Sequence, residues 1–243
     1  MGGKTVHGAN IGMLMLSTHF PRILGDAGHA GSWPFPLLYR VVEAATAQRV
    51  VAAGQTRVDD SLLAPFVDAG RALVEMGADA ITTSCGFLVL YQDRLQAALG
   101  VPVATSALLQ IPMLQPLFGP RARIGVVTVS GSSLSAAHLR AAGAPADTPV
   151  QGTEAGRELT RVLLGDEPDL DPRLACEDVV QAARSLKVGH PGLAAIVLEC
   201  TNMVPYAAAV TRATGLPVYT IRSLICWLHS GIVPRRFDYT STS

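Results

Sequence analysis

The chain has 243 residues, enough to bury one large core or two smaller ones without covalent staples. Hydrophobic residues make up 49% and charged residues 16%, which excludes a disordered or fibrous chain and fits a compact α/β protein. Lys and Arg number 19, as do Asp and Glu, so the net charge is zero; the pairs Arg121/Arg123 and Arg235/Arg236 are too small for a basic stripe, and nucleic acid is excluded as a partner.

Strand-like runs alternate with helical patterns along the whole chain. Ile11 to Leu16 reads as a buried strand, followed by a long Pro- and Gly-rich loop from Ser17 to Pro36. Val50 and Val51 suggest a short strand, and Ser61 to Met76 a helix with Ser61 as its N-cap. Ala80 to Thr83 is a strand, Gly86 to Leu99 a helix ended by Gly100, and Val101 to Val103 a short strand. The second half repeats the theme. A strand at Ile124 to Val127 precedes helices at Ser133 to Ala142, Gly152 to Leu164 and Leu174 to Leu186. A strand at Ala195 to Leu198, a helix at Asn202 to Thr214, a strand at Pro217 to Tyr219 and a last helix from Ser223 to His229 complete it. Such alternation predicts parallel sheets with crossover helices.

An internal repeat sharpens that expectation. Gly77 to Cys85 lies over Gly192 to Cys200 at an offset of 115, and the register continues without a gap. Tyr91 falls on Tyr206, Gly100 on Gly215, Pro102 on Pro217, Val103 on Val218, Thr105 on Thr220 and Leu109 on Leu224. The period is too long for a solenoid. It predicts two pseudo-symmetric Rossmann-like α/β lobes, each a mostly parallel sheet flanked by helices, with the site in the cleft between them. The first lobe is assigned to 8–109 plus 222–243 and carries Cys85; the second, 110–221, carries Cys200.

Each of these cysteines follows a strand and precedes a helix, at the sheet edge where open α/β folds bind ligands. Helix N-termini carry unpaired N–H groups and partial positive charge, which should lower a thiol's pKa and can hold a carboxylate. Facing thiols would let one remove a proton from carbon while the other delivers one. Cys176 and Cys226 fall within predicted helices and read as packing residues. With no C-x-x-C or Cys/His cluster, no metal site is expected. No apolar run is long enough to suggest a membrane span, and the cytosol is the expected compartment, with reduced thiols.

At these positions the chain resembles the aspartate/glutamate racemase superfamily. The carriers are Thr83-Ser84-Cys85-Gly86-Phe87 and Glu199-Cys200-Thr201-Asn202-Met203-Val204-Pro205. The resemblance implies catalysis without metal or organic cofactor, a small carboxylate substrate, often a homodimer, and acid/base roles for Cys85 and Cys200. It also implies a carboxylate-binding role for the Thr201 hydroxyl. Glutamate racemases carry Cys-Asn-Thr at the first motif and a His two residues after the second cysteine; here Gly86, Phe87 and Asn202 stand instead, which points to another substrate. The expected activity is a racemase or epimerase inverting a carbon next to a carboxylate or carbonyl. A cis–trans isomerase or decarboxylase on the same scaffold, or a non-catalytic two-lobe binding protein, are the alternatives.

Candidate substrate-binding residues are Ser17, Thr18, Arg22, Ser84, Gly86, Phe87, Thr128, Thr201 and Asn202. The loop from His19 to Gly28 is long enough to act as a lid, with Arg22 as a carboxylate ligand and Asp26 or His19 tuning a thiol. Ser132 or Ser133 is a candidate cap for the helix that follows. Strand alternation is expected to turn Glu199 away from Cys200. Gly3-Lys4-Thr5 lacks the upstream Gly and strand of a phosphate loop and reads as tail.

Overall fold

The computed structural model describes residues 8–53 and 59–234. Gly3-Lys4-Thr5 and Arg235/Arg236 lie outside the described residues. The elements run β1 (Ile11–Ser17), β2 (Leu37–Thr46), α1 (Ala47–Ala53), α2 (Asp60–Glu75), β3 (Ala80–Thr83), α3 (Gln92–Leu99), β4 (Val103–Ala104) and α4 (Ile111–Phe118). They continue as β5 (Arg123–Thr128), α5 (Ala136–Ala141), β6 (Val150–Gly152), α6 (Leu159–Gly165), α7 (Pro172–Gly189), β7 (Leu193–Leu198), α8 (Ala207–Thr214), β8 (Val218–Tyr219) and α9 (Ile221–Ile232).

Two four-stranded parallel sheets form, ordered β2-β1-β3-β4 and β6-β5-β7-β8. The two orders are the same permutation, so the repeat in sequence is a repeat in topology. β1, β3, β5 and β7 are almost wholly buried, as continuous apolar runs between helical layers require. Each cysteine is followed by a 3₁₀ turn, Gly86–Tyr91 in one half and Thr201–Tyr206 in the other, and then by α3 or α8. Gly100 and Gly215 end those helices with φ of 66° and 70°, the left-handed conformation that glycine adopts without a Cβ penalty.

Several sequence expectations are corrected. Val50 and Val51 belong to α1 rather than to a strand, because they bury one side of a helical turn directly after β2. β2 begins directly after the Ser17 to Pro36 loop, over residues for which the sequence pattern predicts no strand; most of its side chains are exposed or half-exposed, so its apolar pattern is weak. Asp59, not Ser61, caps α2, its carboxylate accepting from the Ser61 amide at 3.1 Å. The next positions bury Leu62, Phe66, Ala69 and Leu73, one face of the helix. Ser135 rather than Ser132 or Ser133 caps α5, reciprocally with His138. Gly152 ends a strand, and the helix expected from it starts only at Leu159. α4 runs unbroken with Pro112 in its first turn and Pro116 inside it, and the sequence pattern predicts no helix there.

Candidate active site

β3 and β7 end on facing edges, and the turns that follow bring Cys85 and Cys200 to the walls of one narrow cleft of about 30 Å3. Its apolar lining includes Leu16, Phe20, Phe87, Val129, Leu163 and Leu164; its polar lining is Arg22, Ser84, Glu199, Thr201 and Asn202. Of the residues singled out from sequence, Arg22, Ser84, Cys85, Gly86, Phe87, Cys200, Thr201 and Asn202 meet here. Ser17, Thr18 and Thr128 stand behind the wall. Ser17 bonds Glu43 at 3.3 Å, Thr18 accepts from Arg22 at 3.0 Å, and Thr128 donates to Glu199 at 2.6 Å.

Some lining side chains are already committed. The Ser84 hydroxyl accepts from the Leu16 amide at 3.0 Å, and the Thr201 hydroxyl donates to the Ser84 carbonyl at 2.6 Å, joining the two halves. Thr201 therefore offers its backbone, rather than a free hydroxyl proton, to a carboxylate.

The loop after β1 is strapped across the cleft. His19 and Phe20 donate backbone amides to Asp166 at 2.6 and 3.3 Å, and the His19 ring lies 2.7 Å from the same carboxylate. Further along, the Ala27 amide donates to the Thr201 carbonyl at 3.3 Å. Arg22 pairs with the buried Asp26 at 3.1 Å and lies over the Phe20 ring, 5.1 Å from its centroid. Asp26 in turn accepts from the Asn202 side-chain amide, whose oxygen accepts from the Cys200 thiol at 3.5 Å. A chain Thr18–Arg22–Asp26–Asn202–Cys200 thus links the loop of one half to the thiol of the other.

The thiols do not behave as the helix-end argument predicts. Burial, then the charge of Glu199, pushes Cys85 up to about 12; the amides of Phe87 and Leu88 pull the other way and lose. Cys200 is raised well above the usual thiol range by the same two causes, in the same order, and further by Cys85. The N–H groups act in the expected direction. Desolvation outweighs them.

Glu199 is the residue that sequence reasoning placed wrongly. β7 ends at Leu198, so strand alternation no longer governs the next side chain, and the carboxyl turns into the cleft wall. It is fully buried, and burial raises it to about 7 against the hydrogen bond from Thr128. Its Oε2 takes that bond, while Oε1 has no hydrogen-bond partner among the described residues. The signal available in sequence was a carboxylate beside a repeat-matched cysteine.

Cys176 on α7 and Cys226 on α9 line no part of the cleft. Among the described residues, no cluster of His, Cys, Asp and Glu has the makings of a metal site, and no helix is long and apolar enough to cross a membrane.

No protein-family model matches the chain. It is 32% identical over 220 residues, 86% of its length, to dimethylsulfoniopropionate lyase 6 of Emiliania huxleyi. It is 28% identical over 218 residues to dimethylsulfoniopropionate lyase of Durusdinium sp. clade D, covering 87% of this chain and 71% of that one. The chain spans 56% of the length of the Emiliania relative. Among solved structures, a variant of arylmalonate decarboxylase matches with a TM-score of 0.63 at 16% identity, covering 95% of this chain and 96% of the other. Allantoin racemase from Klebsiella pneumoniae matches with a TM-score of 0.60 at 18% identity, covering 93% and 88%. These matches share the fold of two parallel sheets flanked by helices, the architecture that the internal repeat predicts.

Proposed function

We propose that the chain is a lyase that removes the proton α to a carboxylate with a cleft thiolate and expels a substituent from the β-carbon, without metal or organic cofactor. Dimethylsulfoniopropionate is the substrate to test first. The sulfur of Cys85 or Cys200 takes the Cα proton, and the C–H electron pair becomes the Cα=Cβ double bond. The Cβ–S bond breaks with its pair on sulfur. The products are acrylate, neutral dimethyl sulfide and one proton.

The observation that carries this reading is the meeting of two repeat-related cysteines on one small, largely apolar cleft. The names of the sequence relatives add to it, since they are lyases rather than racemases. The cleft suits a zwitterion. Arg22 is the cation for a carboxylate, although its pairing with Asp26 makes the backbone N–H groups after each cysteine a second anchor. Phe20, Phe87 and the Glu199 carboxylate are groups to which a sulfonium is attracted.

Racemisation is the second reading, favoured by the presence of a thiol in both motifs and by the allantoin racemase fold match. The two readings differ in what they require. Inversion needs both thiols, one on each face of the carbon, whereas elimination needs one base. Purified protein should be given dimethylsulfoniopropionate, with dimethyl sulfide read by headspace chromatography and acrylate by NMR. In parallel, single enantiomers of amino acids and hydantoins in D2O report α-deuteration. Release of dimethyl sulfide that is lost on replacing one particular cysteine with Ala supports the lyase. Deuteration and inversion without dimethyl sulfide would reassign the site as a racemase.

A further inference from the structure

We propose that Glu199 is the resident base of the cleft, a buried carboxylate that takes the proton of a thiol when substrate enters and returns it to solvent after product leaves. This rests on the reading of the cleft as a site of α-proton removal and acts through the thiols rather than on the substrate.

The geometry is specific. Glu199 immediately precedes Cys200 in the chain, and its Oε1 lies against Gly86, the residue that follows Cys85. One carboxyl therefore adjoins both thiol-bearing turns. Oε2 is held by Thr128, Oε1 has no hydrogen-bond partner among the described residues, and no cation pairs with either oxygen among them. A buried, half-satisfied carboxyl beside two nucleophiles is costly unless it does something. The charged and titratable groups that share the cleft with it are Cys85, Cys200 and Arg22, and Asp26 acts on Cys200 from the strap.

These groups share one negative charge. Glu199 raises both thiols, and Cys85 raises Cys200. With Glu199 near 7 and Cys85 near 12, the charge of the empty cleft resides on the carboxyl and both thiols keep their protons. A substrate cation beside a thiol favours its ionised form. One thiol proton then passes to Glu199, and the thiolate is made where it is needed. After the thiolate has taken the Cα proton and product has left, Glu199 gives its proton to water. The sum is the single proton that an elimination releases, and no redox partner enters.

The test is the pH dependence of kcat/KM for dimethylsulfoniopropionate with wild-type protein, Glu199→Gln and Thr128→Val, folding being followed by circular dichroism. The wild type should gain activity through a limb near pH 7, as the carboxylate forms. Thr128→Val removes the hydrogen bond that favours the carboxylate, so its limb should move to higher pH. Glu199→Gln keeps the shape but not the base, and should lose about 100-fold or more at neutral pH, with its limb displaced into the thiol range. A Gln variant within a few-fold of wild type with the limb intact, or a Thr128→Val limb that does not move, overturns the proposal. If the Gln variant does not fold, the Thr128→Val shift decides. A wild type that releases no dimethyl sulfide refutes the lyase reading instead, which is a separate outcome.

Discussion

Glu199 occupies the space into which a side chain at Gly86 would project. A Cβ built on Gly86 would stand 2.2 Å from Glu199 Oε1 and 2.7 Å from its carbonyl oxygen. The two residues come from matching turns of opposite lobes, and each sets the size allowed to the other. Glutamate racemases carry Asn at the position of Gly86; in this chain that volume belongs to a carboxyl.

Gly86→Ala should therefore push the Glu199 carboxyl off Thr128. Overpacking of this kind costs about 1–3 kcal/mol. Thermal unfolding should show that loss, and kcat/KM should fall further than stability alone explains. An Ala variant with wild-type activity and midpoint would show that Glu199 has room to spare.

The strap predicts an asymmetry between its two ion-pair partners. Asp26 is buried, and replacing it with Ala leaves the Arg22 guanidinium without its counter-charge and Asn202 without its anchor. Breaking a buried pair on one side costs about 3–5 kcal/mol. Asn202→Ala leaves the ion pair intact and should cost less stability, while freeing the Cys200 thiol. Denaturant unfolding of the two variants checks the order; equal losses would contradict it.

Thiol reactivity distinguishes burial from the helix-end effect. In the empty cleft Cys85 should be alkylated very slowly by iodoacetamide at pH 7 and progressively faster toward pH 11, followed peptide by peptide in a mass spectrometer. Glu199→Gln should speed alkylation at pH 9, because it removes a charge that opposes the thiolate. Rapid labelling of Cys85 in wild-type protein at pH 7 would mean that the turn amides prevail.

His138 makes stability depend on acid. It is buried against Phe87, with ring centroids 5.0 Å apart, and burial lowers it to about 4 from an ordinary 6.5. Below pH 6.5 the unfolded chain gains a proton that the folded one refuses, so stability falls as pH drops from about 6.5 to 4, by up to about 3 kcal/mol. His138→Gln retains a capping partner for Ser135 and removes the titration. Its unfolding free energy should fall less steeply over that range, and parallel curves for the two proteins would count against the assignment.

The sequence was most informative where the repeat repeated. Tyr91 and Tyr206, Gly100 and Gly215, and the two cysteines located the turns of both lobes, because matched positions carry the same backbone requirement. It was least informative where contacts cross the cleft. The Asp26–Asn202 bond joins residues far apart in the chain, and nothing local marks it. Glu199 was misread because a periodicity argument was carried one residue past the end of its strand. The thiol shifts were misread because helix-end charge is visible in sequence order, whereas burial is not.

The account stands or falls on the sulfur atoms. Dimethyl sulfide release from dimethylsulfoniopropionate, compared between wild-type protein and a folded Cys85→Ala/Cys200→Ala double variant, measures it directly. The account predicts steady release by the first and none above background by the second. Equal release by both, or none by either, would contradict it.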